Sequence, residues 1–69
     1  MPPKVRDAIR VVERDGWYLM RTRGSHRHFR HPEKPGTVTI PGPLGSDLKP
    51  GTWRSIMRQA GLGRGNRSS

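Results

Sequence analysis

The chain contains no cysteine, so neither a disulfide framework nor a cysteine-based zinc site can staple its fold. That absence suits a reducing cytoplasm. Apolar residues are also few, at 29% of the chain, with 6% aromatic. A core of this size rarely supplies more than about 3–5 kcal/mol of net stability, so a bound partner would matter to how long the protein survives. No apolar run approaches a signal-peptide core or a membrane span in length. A soluble cytoplasmic protein with no membrane partner is therefore expected. Sixty-nine residues bound the chain to one domain, and there is no internal repeat.

Acidic residues are scarce as well. Five Asp and Glu stand against fourteen Lys and Arg, a formal charge of +9, and eleven of the fourteen are arginine. Arginine suits phosphate because its planar fork donates two parallel hydrogen bonds. So high a charge on so short a chain costs self-repulsion, which points to a polyanionic partner: nucleic acid, or an acidic protein.

Hydrophobic spacing organises the chain as two helices bracketing three strands. In the first helix, about residues 4–15, Val5, Ala8, Ile9 and Val12 form one apolar stripe, and Arg6, Arg10 and Arg14 form a separate basic ridge. Gly16 is placed to stop it. Residues 17–22 and 26–31 read as strands joined by a turn at Arg23, Gly24 and Ser25. Residues 37–40 alternate as a third strand after a turn over 32–36. A Pro- and Gly-rich loop over 41–49 leads to a second helix, opened by Pro50 and ended by Gly61. Its stripe is Trp53, Ile56, Met57 and Ala60. Residues 1–62 are expected to form the single domain, and 63–69 a disordered basic tail. The order predicts an α+β fold, α-β-β-β-α, with a three-stranded antiparallel sheet and both helices on one face. This architecture resembles a double-stranded-RNA-binding domain.

The three histidines all fall within residues 26–31. In a regular strand, His26, His28 and Arg30 share one face, and Arg27, Phe29 and His31 the other. Phe29 belongs in the core, so His26 and His28 should lie on the open face, with Tyr18 beside them. Imidazole both takes and gives a proton near neutral pH. Metal-free RNA cleavage needs those roles, together with cationic donors for the charged phosphorane. Spacing alone favours an exposed and merely polar RNA-facing strand over catalysis as the explanation of the histidines. A metal site is a weaker reading, because zinc wants three or four protein ligands and no carboxylate lies in the segment. Ser25 reads as a turn residue rather than a nucleophile. Arg21, Arg23, Arg27 and Arg30 surround the histidines and are the best phosphate candidates. Trp17 and Trp53 read as core.

Taken in order, these segments resemble the HicA family of bacterial toxins. The resemblance rests on Asp15-Gly16-Trp17, on Arg23-Gly24-Ser25-His26 followed by Phe29, and on Pro35-Gly36-Thr37-Val38-Thr39-Ile40-Pro41. It continues through the stretch from Leu48-Lys49-Pro50-Gly51-Thr52-Trp53 to Gly61-Leu62. It implies a toxin that cleaves messenger RNA with no cofactor or metal, and a cognate HicB antitoxin that masks the active site. The family's catalytic histidine follows Gly-Ser, a position held here by His26. Many relatives carry a histidine in the loop after the third strand, where this chain has Pro41-Gly42-Pro43. His28 and Lys49 are the candidates to replace its contribution to acid chemistry or RNA contact.

Pattern alone ranks a non-catalytic RNA-binding module first and an adaptor for an acidic protein as a further alternative. The resemblance places a ribonuclease toxin above both.

Overall fold

The computed structural model describes residues 2–62; the tail expected over 63–69 lies outside them. Five elements follow in the expected order: α1 (Val5–Arg14), β1 (Tyr18–Arg23), β2 (His26–Arg30), β3 (Val38–Pro41) and α2 (Pro50–Gln59). The strands form one antiparallel sheet in the order β1-β2-β3. Among the described residues, no helix is long and apolar enough to cross a membrane.

The core joins the two helical stripes to one face of the sheet. Val5, Ala8 and Val12 of α1 and Ile56 and Met57 of α2, with Ala60 just beyond it, are buried with Phe29, Val38 and Ile40. Trp17 and Leu48 close the ends of this cluster. Ile9 and Trp53 occupy its margin and are only partly buried. Trp53 begins the stripe of α2, one turn before the buried Ile56.

The surroundings satisfy the start of α1. The first N–H groups of α1 have no partner within the helix. The loop after β3 supplies one: Val5 N–H donates to the Ser46 carbonyl (2.9 Å) and Arg6 N–H to that of Leu44 (3.1 Å). The Asp7 carboxylate accepts the Lys4 N–H at 2.8 Å. Pro50 opens α2 where its missing N–H costs nothing. The two sheet margins differ. The outer N–H of Thr39 in β3 donates to Gln59 Oε1 (2.9 Å), so α2 closes that margin. β1 is exposed along its whole length, with Leu19 and Met20 about half exposed, and its outer side pairs with nothing in the sheet.

The third histidine, His31, lies just past β2 and fastens the far end of the fold. Its Nδ1 accepts the N–H groups of Glu33 (3.0 Å) and Lys34 (3.1 Å). That nitrogen therefore carries no proton, and Nε2–H donates to the Asp15 carbonyl at 2.7 Å. The ring stands edge-on to Trp17, with centroids 5.2 Å apart. Gly16, at φ +105°, must be glycine here, because a Cβ would sit 2.7 Å from His31 Nε2. Lys34 Nζ donates to the Asp15 carboxylate and to the Ala60 carbonyl, tying the ends of both helices to the β2–β3 turn.

The hydrogen bond from Lys34 holds the Asp15 carboxyl below its usual 3.8, helped by the Lys34 charge and the Trp17 N–H and opposed by partial burial. A carboxylate with a lowered folded-state pKa stabilises the fold above its unfolded value and loses that contribution as pH falls through the folded one. Urea midpoints measured from pH 6 down to pH 2 should therefore fall more steeply in the parent than in Lys34→Met. Parallel curves would show that the pair adds no pH-dependent stability.

Candidate nucleic-acid interface

Hairpin geometry sets the position of His26. Gly24 and Ser25 alone link β1 to β2. Gly24 has φ +59°, and among the described residues no non-glycine, Ser25 included, has positive φ, as a two-residue type II′ turn requires. His26 is therefore the first residue of β2, exposed, opposite Arg23 on one side and Pro41 on the other. Two further bonds clamp this corner. Gly42 N–H donates to the Ser25 carbonyl (2.9 Å), and Arg27 Nη1 donates to the Gly42 carbonyl (2.7 Å).

Pairing defines the open face row by row, since directly opposed residues point the same way. One row is Arg23, His26 and Pro41; the next is Arg21, His28 and Thr39; the third pairs Tyr18 with Arg30. Strict alternation along β1 would put Arg21 and Arg23 on the same side as Leu19, toward the helices. They reach the histidine face because the register shifts between Leu19 and Arg21, leaving Met20 as the extra residue of a β-bulge. Such a bulge re-aims the side chains that follow it. Nothing in the sequence marks it, since no glycine or proline sits at residues 18–23.

The predicted site residues fall into three groups. Arg21, Arg23, His28 and Arg30 come together with Met20 and Thr37 around an open depression of about 210 Å³. His26 lies one row away, beside Pro41. Lys49, the residue before α2, sits in a groove with Pro41, Thr39, Thr52 and Ser55. This groove begins on the other side of Pro41 from His26. The first turn of α2 holds no acid, so its positive dipole end is left uncompensated there. Arg27 is set apart: it opposes Thr22 and Ile40 on the helix side, and its guanidinium holds Gly42.

His28 is half-buried, and its Nδ1 lies 3.3 Å from Thr39 Oγ1 across the β2–β3 pair. His26 makes no side-chain hydrogen bond among the described residues. No carboxylate lines the depression. Among the described residues, no three His, Asp or Glu side chains are grouped as metal ligands. What the face offers chemically is two imidazoles, three arginine forks and threonine hydroxyls on a rigid sheet, suited to holding phosphate and moving protons.

Residues 5–62 match a family model described as HicA toxin of bacterial toxin-antitoxin, well over half of the chain. No curated protein matches the chain.

Because Arg27 holds the Gly42 turn that braces His26, Arg27→Met should cost about 1.5–3 kcal/mol, the usual range for a hydrogen bond to a charged group. Denaturant midpoints measure the cost. NMR shifts should move at His26 and Gly42 more than at Arg21 or Arg30. A variant as stable as the parent, with His26 unmoved, would show that the clamp is idle.

Proposed function

The chain belongs to the HicA toxin family of bacterial toxin–antitoxin systems, and on that premise we propose that it is an endoribonuclease that cleaves messenger RNA. In this reading His26 is the catalytic acid/base, no metal takes part, and a HicB-like antitoxin neutralises the activity. One observation carries the proposal: an exposed histidine held at a braced strand end, one row from an arginine-lined depression free of carboxylates. Arg21, Arg23 and Arg30 hold the RNA backbone and stabilise charge that develops on the phosphorane. Lys49 and the end of α2 extend the contact past Pro41. Arg27 positions the corner rather than the RNA.

The chemistry belongs where messenger RNA is found, in the cytoplasm. Covering the arginines with acidic groups would both neutralise the toxin and stabilise a small fold by mass action. A non-catalytic RNA-binding module is the competing reading. Incubating the purified protein with structured RNA in excess EDTA separates them: cleavage supports the toxin, and a band shift with intact RNA supports the binding module.

His26→Ala should lower the cleavage rate by about 10²–10⁴-fold, the usual worth of a positioned proton-transfer group. It should also abolish growth arrest on induced expression. An exposed strand residue adds little packing, so the melting temperature should hold. RNA affinity should fall little, because the arginines remain. Undiminished toxicity at matched expression would overturn the assignment of His26, and a large loss of melting temperature would make it structural instead.

The rate of association with the antitoxin should drop markedly as salt rises, because opposite potentials speed encounter. Stopped-flow mixing across ionic strengths measures this. An unchanged on-rate would mean that apolar contacts drive docking and that the charge serves RNA alone.

A further inference from the structure

We infer that His28 is a second catalytic residue, working with His26 as the other proton-transfer group of a two-histidine site. This rests on the ribonuclease reading above and goes beyond it. Three independent features of the open face converge on His28.

The first is where the arginines are. Arg21, Arg23 and Arg30 line the same depression as His28, while His26 lies at its border. A phosphate neutralised by these three guanidinium groups lies against His28 first. The second is orientation. Thr39 Oγ1, on the neighbouring strand, engages His28 Nδ1 at 3.3 Å. Among the described residues Nε2 makes no hydrogen bond, so it is the nitrogen free to meet a ligand. A hydroxyl both donates and accepts, so this contact survives whichever form the ring takes. A ring meant only to bind phosphate would gain nothing from a partner that tolerates both forms. The third is spacing. His26 and His28 alternate on one strand and share a face, which puts their Cα atoms about 6.6 Å apart.

The reaction needs two proton transfers at one phosphate. The 2′-oxygen attacks phosphorus on the side opposite the departing 5′-oxygen, so the proton acceptor and the proton donor must stand on opposite sides of one phosphate. A single imidazole cannot reach both at once. With two, one imidazole takes the 2′-hydroxyl proton as the new oxygen–phosphorus bond forms. The other, starting protonated, gives its proton to the 5′-oxygen as that bond breaks. The products are a 2′,3′-cyclic phosphate and a 5′-hydroxyl, with no co-reactant consumed. Proton exchange with solvent restores the pair.

The charged groups facing His28 are Arg21 and Arg23 from β1, and Arg30 and His26 from its own strand. Tyr18 of β1 stands one row away opposite Arg30, β3 contributes the hydroxyl of Thr39, and the residue before β3 that of Thr37. A guanidinium group supplies no proton transfer in the range where imidazoles do. A two-limbed pH profile of cleavage would therefore report the two histidines.

The test compares the parent, His28→Asn and His28→Gln on one RNA oligonucleotide in EDTA, with kcat, KM and kcat against pH for each. Asparagine keeps a polar atom near the Nδ1 position for Thr39 and offers nothing at Nε2. Glutamine reaches the Nε2 position with an amide that holds phosphate but transfers no proton. Melting curves accompany both, and Gln decides if Asn fails to fold. The inference expects a bell-shaped profile for the parent. It expects kcat reduced about 10²–10⁴-fold in either variant, KM within about threefold, and one limb of the profile gone. A kcat within threefold of the parent overturns it. So does a defect confined to KM, which would leave His28 as a phosphate contact only, and so does a variant that keeps both limbs. If the parent itself leaves RNA uncut, the ribonuclease reading fails, a different result from a parent that cuts and a His28 variant that cuts as well.

Discussion

The burial of Phe29 is the constraint on which the rest of the molecule depends. It sits on the central strand and is 1% exposed, paired with Leu19 on one side and Val38 on the other. A strand has a side-chain period of two, so fixing one residue inward fixes its neighbours outward. A slip of one residue in β2 would bury both His26 and His28 and turn Phe29 out to water. Packing on one face of β2 thus fixes where both imidazoles stand on the other. β1 obeys the same constraint with one correction. Its bulge at Met20 lets Leu19 face Phe29 while Arg21 and Arg23 still face the histidines.

The distribution of charge has a similar logic. Three of the five acids are committed to the scaffold: Asp7 at the start of α1, Asp15 with Lys34, and Asp47 with Lys4. Both side-chain ion pairs among the described residues use lysine. The arginines of the open face are left without carboxylate partners, so the positive potential of that face is not spent on internal pairing. A phosphate brought there meets guanidinium groups that need not first release a carboxylate.

Much of this was legible in the sequence. Val5, Ala8 and Val12 on one helix and Ile56, Met57 and Ala60 on the other gave their burial through spacing alone. The parity of residues 26–30 placed Phe29 inward and both histidines outward. Trp53 shares the stripe of α2 but lies at the margin of the core, because spacing tells which way a side chain points and not how deeply it is covered. The bulge was invisible, since no residue near Met20 is special to such a turn. Arg27 was grouped with the phosphate candidates by proximity in sequence, although the same parity sends it to the helix side. Its bond to Gly42 joins residues fifteen apart, a contact that local pattern does not encode. The role of His31 was hidden for the same reason: Asp15, Trp17 and Lys34 meet it only when the chain is folded.

The two margins of the sheet have different fates. Gln59 occupies the outer edge of β3, whereas β1 presents an unpaired ladder six residues long with Leu19 and Met20 half exposed. Such an edge is a template on which further strands can be laid, the first step toward fibrous aggregation. A second copy adding there would have to match a kinked ladder, and it would set arginines beside arginines within the same few residues. The bulge and the two guanidinium groups that serve the open face therefore also make the sheet a poor seed for its own polymerisation.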